Sequence, residues 1–323
     1  HWDLPQALQE RGGWANRDSA GWFTDYALAA TDRLGDRVRH WIMLNEPNVH
    51  AIVGHAIGGH APGVTGFDNY LLAQHHQNLA QGDALAALRA QRPGLDLGTV
   101  VSMQPIHAAT DRPADVVAAR RFDGVWNGAS LDPLFHGRYP AAIADRFAPL
   151  VKPGDMERIR QPVDFLGINY YGPSYIVDAP GGVLADTAYG PLPPGTPVTR
   201  LGWPVDPDGL VAVLRRLREE YGNPRVYVTE NGACYDDPPV AGDTVADVER
   251  VAYLRAHVGA CARAIAEGSP LAGYFVWSLL DNFEWAEGTE RRFGIVHVDF
   301  STQRRLPKRS FYELTRIMAD SRA

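Results

Sequence analysis

The sequence predicts an α/β fold with a parallel, barrel-forming sheet, and three features predict it. Apolar, strand-like runs alternate with amphipathic helical segments along the whole chain, as in a parallel sheet covered by helices. Two of those runs end on a glutamate: residues 38–44 lead into Asn45-Glu46-Pro47, and residues 225–229 lead into Glu230-Asn231-Gly232. A carboxylate ending an apolar strand is costly there unless it is paired or used. No internal repeat, low-complexity tract or interdomain linker interrupts the alternation, so residues 1–323 are expected to form one domain. In a parallel barrel the two glutamates would stand on one rim.

The chain divides in order as follows. Residues 1–13 are loop-like, with Pro5 and the Gly12-Gly13 pair, and residues 18–34 place Trp22, Phe23, Tyr26, Ala27, Ala30 and Leu34 at helical spacing. Gly35 is the expected C-cap. Strand 38–44 stops at Pro47, which has no N–H to donate. A Gly/His-rich loop runs to Gly66, and a long helix over residues 67–91 is stopped by Pro93-Gly94. Residues 97–103 form a buried strand, 114–126 a helix, and 127–140 a loop with a short helical piece after it. Residues 164–170 are a strand, and the Gly/Pro-rich stretch 178–206 is an irregular, functional loop. Helix 208–221, strand 225–229, helix 246–267 and strand 271–280 follow, then a hairpin at 293–300 and a closing helix at 308–320. The Asn231-Gly232 pair is expected to turn the chain.

Composition narrows the function. A chain that is 45% hydrophobic with 8 Trp, 13 Tyr and 11 Phe can bury a sizeable core, and no apolar run is long enough to span a bilayer. The net charge of −7 argues against nucleic acid or an anionic membrane as partner. Two cysteines, Cys234 and Cys261, suggest no disulfide framework and favour a reducing, cytoplasmic compartment. His75-His76 lacks a carboxylate at ligand spacing and is read as a helix-face pair, not a metal site. The stretch from Gly58 to Gly63 lacks the Lys-Ser/Thr ending of a phosphate loop and is read as an entrance wall. No cofactor is expected.

Barrel enzymes carry their chemistry at the C-terminal ends of strands. Read in order, those ends offer His1 and Trp2, Asn45 and Glu46, Asn169, Tyr170 and Tyr171, Glu230 and Trp277, with Glu284 and Trp285 in the loop beyond. Acids and amides bind hydroxyls and indoles stack on the apolar face of a ring, so the set suits a sugar. Two carboxylates can also divide the cleavage of an acetal, one protonating the leaving oxygen and the other attacking the anomeric carbon or activating water. A strand-end Glu alone is more often a salt-bridge partner, and Trp14, Trp22 and Trp126 are read as packing. Cys234, just beyond Glu230, is read as a bystander thiol.

Five motifs make the assignment specific: His1-Trp2-Asp3-Leu4-Pro5-Gln6, Leu44-Asn45-Glu46-Pro47-Asn48, Gly167-Ile168-Asn169-Tyr170-Tyr171, Val228-Thr229-Glu230-Asn231-Gly232, and the run from Trp277 to Gly288. They resemble, in order and over essentially the whole chain, the β-glucosidase family (family 1 glycoside hydrolases). The resemblance implies a retaining β-glycosidase on a (β/α)8 TIM barrel. It implies Glu46 as acid/base, Glu230 as nucleophile, Asn45 on the 2-hydroxyl and Tyr171 hydrogen-bonded to the nucleophile. His1, Trp2, Asn169, Trp277, Glu284 and Trp285 would hold the non-reducing sugar, and Trp203 would wall the aglycone site. Glu284 and Phe293 stand where relatives acting on 6-phosphosugars have other residues, which favours an unphosphorylated glucoside, galactoside or fucoside. Small β-glucosides or short oligosaccharides are the implied partners.

The family's barrel begins about two and a half strands before His1, so the chain is expected to hold roughly strands 4–8 and the tip of strand 3. On that expectation a sugar-binding glutamine and an arginine beside the nucleophile are absent, and strand 38–44 is an exposed edge that favours association. The rival reading is accordingly a catalytically impaired sugar-binding fragment. The retaining geometry would set the two carboxyl groups about 5–5.5 Å apart.

Overall fold

The computed structural model describes residues 2–320, and the chain divides into two compact units. The first comprises residues 1–169, 174–191 and 224–226; the second comprises 170–173, 192–223 and 227–323.

In the first unit, α1 (Ser19–Leu34) precedes β1 (His40–Asn45), and α2 (Phe67–Gln91) precedes β2 (Asp96–Ser102). Then come β3 (Ile106–Ala108), α3 (Pro113–Asp123), α4 (Ala129–His136), β4 (Phe165–Asn169), β5 (Ser174–Asp178) and β6 (Thr187–Tyr189). β1 pairs parallel with β2, and β2 parallel with β4, which gives the parallel α/β arrangement expected from the alternation. A second small sheet, β3-β5-β6, takes one strand, β6, from the stretch expected to be irregular. The register of β1 against β2 shifts between Ile42 and Asn45, immediately before Glu46, and such an irregularity re-aims the side chains that follow it.

α2 is the axis of this unit. Between Tyr70 and Leu85 its residues are buried or half-buried on every side, so that stretch shows no single apolar stripe, and its polar side chains must find partners inside the protein. Gln81 Oε1 accepts the Thr99 hydroxyl at 2.5 Å, and Asn78 Nδ2 donates to the Ala129 carbonyl at 2.9 Å. His75 and His76 are both buried rather than on an open helix face. His75 lies between the Tyr139 hydroxyl (2.7 Å) and Asp155 (3.0 Å), a carboxylate that sequence spacing could not supply. Burial lowers the His75 pKa to about 4, so the ring is neutral at pH 7. Among the described residues no group of three or more His, Cys, Asp or Glu could hold a metal ion.

The second unit contains α5 (Pro207–Glu220), β7 (Val226–Asn231, its first residue counted with the first unit) and α6 (Val248–Ala266). β8 (Leu271–Val276), β9 (Val296–Val298), β10 (Arg305–Pro307) and α7 (Arg309–Asp320) follow. α5 opens with a side-chain cap, Asp206 accepting from the Asp208 N–H, and with Pro207 in its first turn. Leu254, Ile295 and Val296 form an apolar cluster with Tyr274, Val276, Leu280, Phe311 and Leu314 packed on it.

Four local expectations need correction. Residues 127–140 are not all loop, because α4 runs through Pro133, a residue that argues against a helix in sequence. The hairpin is β9 with β10, so its return strand lies beyond residue 300. A short helix, Gln6–Gln9, occupies the opening stretch that read as loop. Asn231 does not turn the chain; it is the last residue of β7. No helix among the described residues is long and apolar enough to cross a membrane.

Candidate active site

The candidate residues of the first unit gather where β1 and β4 end. Asn45 closes β1, and Glu46 caps the short helix Pro47–Ala51 with its backbone in the left-handed region, at φ 50 and ψ 53. That conformation is uncommon for a residue with a β-carbon and is held by its surroundings. The Glu46 N–H donates to the Val100 carbonyl at 2.9 Å, and the Glu46 carbonyl accepts the His50 N–H at 3.0 Å. Two residues on, the buried Asn48 donates through Nδ2 to the carbonyls of Ser102 (2.8 Å) and Trp126 (2.9 Å). The Glu46 side chain is thereby presented from a rigid corner, at only 6% exposure.

Asn169, fully buried at the end of β4, donates through Nδ2 to Asn45 Oδ1 at 3.2 Å. Trp2 Nε1 donates to the Asn45 carbonyl at 2.7 Å, and its ring lies beside those of His60 (5.7 Å) and His50 (6.2 Å). Burial, reinforced by neighbouring His55, lowers the His50 pKa to about 3, so this wall carries no charge at neutral pH. The structure thus brings Trp2, Asn45, Glu46 and Asn169 together. His1 lies outside the described residues.

The second unit gathers the rest. β7 delivers Glu230, and the Tyr171 hydroxyl donates to its Oε2 at 2.7 Å. The Tyr171 ring meets Trp203 edge-on at 5.3 Å and Phe293 edge-on at 6.4 Å, and Trp203 lies 6.0 Å from Phe293. Phe293 is buried whereas Trp203 is 37% exposed, so the three rings form a wall with one aromatic face open to solvent. Trp277 and Trp285 are both half-buried, on either side of the segment that carries Glu284.

Glu284 has the most distinctive electrostatics. Its Oε2 is buried with no hydrogen-bond partner in the protein. Burial pushes its pKa up to about 7; a hydrogen bond from Trp277 opposes the rise, while the charges of Glu230 and Glu287 add to it. A buried carboxyl oxygen without a partner in the protein can accept a hydrogen bond from a ligand hydroxyl.

The segment is anchored by Asp281. This buried carboxylate accepts from Arg292 Nη1 (2.8 Å), the Gly294 N–H (3.0 Å) and Lys308 Nζ (2.8 Å). Lys308 also pairs with Asp237, and Arg250 bonds Asp237 at 2.7 Å and Asp247 at 2.6 Å. The charges alternate through this buried network, so the loop bearing the acid is tied to the unit's core. Sequence reasoning missed Asn48 and Asp281, although both lie within quoted motifs, because a motif marks positions without showing which of them face inward.

Acids and amides at strand ends, with half-buried indoles near them, are residue types that suit a carbohydrate ligand. All but the last residue of the chain, residues 1–322, matches the glycosyl hydrolase family 1, and the protein belongs to that family. It is 42% identical to a 1,4-beta-D-glucan glucohydrolase of Thermotoga neapolitana, over 99% of this chain and 72% of that one. It is 41% identical to beta-glucosidase A of Thermotoga maritima, with 99% and 72% covered. Among solved structures, the psychrophilic beta-glucosidase BglU from Micrococcus antarcticus superposes with a TM-score of 0.94 at 41% identity, covering 99% of this chain and 73% of that one. The Thermotoga maritima beta-glucosidase in complex with glucoimidazole superposes at 0.92 and 40% identity, with 99% and 72% covered.

Proposed function

We propose that the protein is a retaining β-glycosidase that releases terminal non-reducing β-D-glucosyl residues, and galactosyl or fucosyl residues as variants, from small glycosides and short oligosaccharides. The observation that carries this reading is the strand-end carboxylate Glu230 with the Tyr171 hydroxyl donating to it, in a chain of this family. Glu230 attacks the anomeric carbon while Glu46 gives its proton to the leaving oxygen. The carbon–oxygen bond to the aglycone breaks and a glycosyl ester on Glu230 forms. Water then attacks that ester, Glu46 takes the proton back, and the sugar leaves with its configuration retained.

Asn45 is assigned to the 2-hydroxyl and Glu284 to the 4- and 6-hydroxyls, which its buried, unpartnered Oε2 is suited to accept. His1, Trp2, Asn169, Trp277 and Trp285 complete the sugar subsite, and Trp203 walls the aglycone site. Glu284 and the buried Phe293 favour an unphosphorylated sugar. We take the parallel α/β architecture as an incomplete (β/α)8 barrel, roughly its strands 4–8, working as one catalytic domain. The two cysteines are free and buried, which fits a reducing compartment such as the cytoplasm.

The test follows 4-nitrophenyl β-glucoside hydrolysis by proton NMR. The β-anomer of glucose is expected first, and Glu230→Gln is expected to abolish release because an amide cannot form the glycosyl ester. The α-anomer appearing first, or an active Glu230→Gln variant, would overturn the reading.

A further inference from the structure

We infer that Asn231 is a positioning residue for the nucleophile, acting through the Tyr170–Tyr171 segment; the inference rests on the proposed role of Glu230. Asn231 follows the nucleophile directly, and as the fully buried end of β7 its amide faces the protein interior. Its bonds lead to the segments that carry the site. Nδ2 donates to the Tyr170 carbonyl at 2.7 Å and to the Tyr253 hydroxyl at 3.0 Å, while Oδ1 accepts the Tyr274 hydroxyl at 2.8 Å. Its main-chain carbonyl accepts the N–H of Trp277 at 3.0 Å. Meanwhile the Tyr170 N–H donates to the Glu230 carbonyl at 2.9 Å.

Tyr170 is therefore held at both ends of its backbone unit, by Glu230 at the nitrogen and by Asn231 at the carbonyl. The next residue is Tyr171, whose hydroxyl bonds the nucleophile. Burial raises the pKa of both Tyr253 and Tyr274 above the usual phenol range, so each stays a neutral hydroxyl able to serve the amide. An amide has two N–H donors and an acceptor oxygen, and this one uses all three. Aspartate has the same shape but offers no N–H when ionised, so it would turn an oxygen toward the Tyr170 carbonyl and release the clamp. A shift of the order of 1 Å at a reacting group costs about a hundredfold in rate.

The experiment is a double-mutant cycle on the full chain, with 2,4-dinitrophenyl β-glucoside, whose leaving group needs no proton. Asn231→Asp is expected to lower kcat/KM by ~10- to 100-fold and to shift the acid limb of its pH profile. In a Tyr171→Phe background the same change should cost less than about threefold, since the path through the phenol is already gone. Tyr274→Phe, which deletes one hydroxyl and keeps the ring, serves if Asn231→Asp does not fold, and should show the same coupling with a smaller loss. Equal factors in both backgrounds would overturn the inference. So would a crystal structure of Asn231→Asp with the Tyr171 hydroxyl still 2.7 Å from Glu230. An active Glu230→Gln variant would instead overturn the proposed function, whereas an inactive one with an additive cycle removes only the role of Asn231.

Discussion

A β-carbon on residue 232 would lie 1.7 Å from the carbonyl oxygen of Trp277, so glycine is required where the backbone beyond Glu230 passes that of Trp277. The nearest atoms belong to main chain and cannot swing aside. Gly232→Ala is therefore expected to destabilise the protein by about 3 kcal/mol or more and to lower activity with it. Urea unfolding monitored by tryptophan fluorescence checks this; a loss below about 1 kcal/mol would mean the two strands separate freely.

In the proposed mechanism Glu46 serves the leaving group only when that group needs a proton. Glu46→Gln should cripple hydrolysis of alkyl glucosides while 2,4-dinitrophenyl β-glucoside is still turned over to the glycosyl ester. With Glu46→Ala, added azide should yield the β-glucosyl azide. An α-configured azide from that variant would exchange the roles of Glu46 and Glu230.

The raised pKa of Glu284 has a signed consequence for stability. Its ordinary value is 4.5 and its folded value is about 7, so the folded protein binds the proton more tightly than the unfolded chain. Its contribution is full below about pH 4.5 and is lost as pH rises through 7. Relative to wild type, Glu284→Gln should therefore melt progressively higher as pH goes from 5 to 8. Glucoside KM should fall over the same rise in wild type, because the ionised carboxyl is the stronger hydroxyl acceptor, and stay flat in the variant. Melting curves and KM at four pH values decide both points.

Lys308 is fully buried between Asp237 and Asp281. Lys308→Met leaves those carboxylates without their shared cation, and removing one partner of a buried ion pair typically costs about 3–5 kcal/mol. Chemical denaturation should show a loss of that order, together with weaker sugar binding, since Asp281 anchors the Glu284 loop.

What the sequence made legible was what leaves a periodic or local trace. The long helix came out with the bounds it has, Phe67–Gln91, because Gly66 and Pro93-Gly94 punctuate it. The strand leading into Glu46 and the strand carrying Glu230 were visible as apolar runs meeting a carboxylate. Helix α4 was hidden by Pro133, whose penalty is offset by burial of Leu131 and Leu134. The partnership of His75 with Asp155 spans 80 residues and exists only after folding. Asn231-Gly232 was misleading in a different way. The pair usually marks a turn, but here Asn231 completes the strand and Gly232 provides clearance for Trp277. Long-range hydrogen bonds such as those of Asn48, Asn231 and Asp281 have no signature at sequence level.

The left-handed backbone at Glu46 implies a trade between durability and catalysis. Glycine adopts that conformation without penalty and asparagine with little, whereas other residues give up roughly 1–2 kcal/mol. Evolutionary drift toward a tougher protein would push position 46 to glycine or asparagine, and each such step would remove the carboxyl proposed as acid/base. Glu46→Gly and Glu46→Asn should accordingly outlast the wild type on heating while hydrolysing almost nothing that needs a proton. Thermal selection applied without an activity screen would then enrich this chain for its own inactive forms.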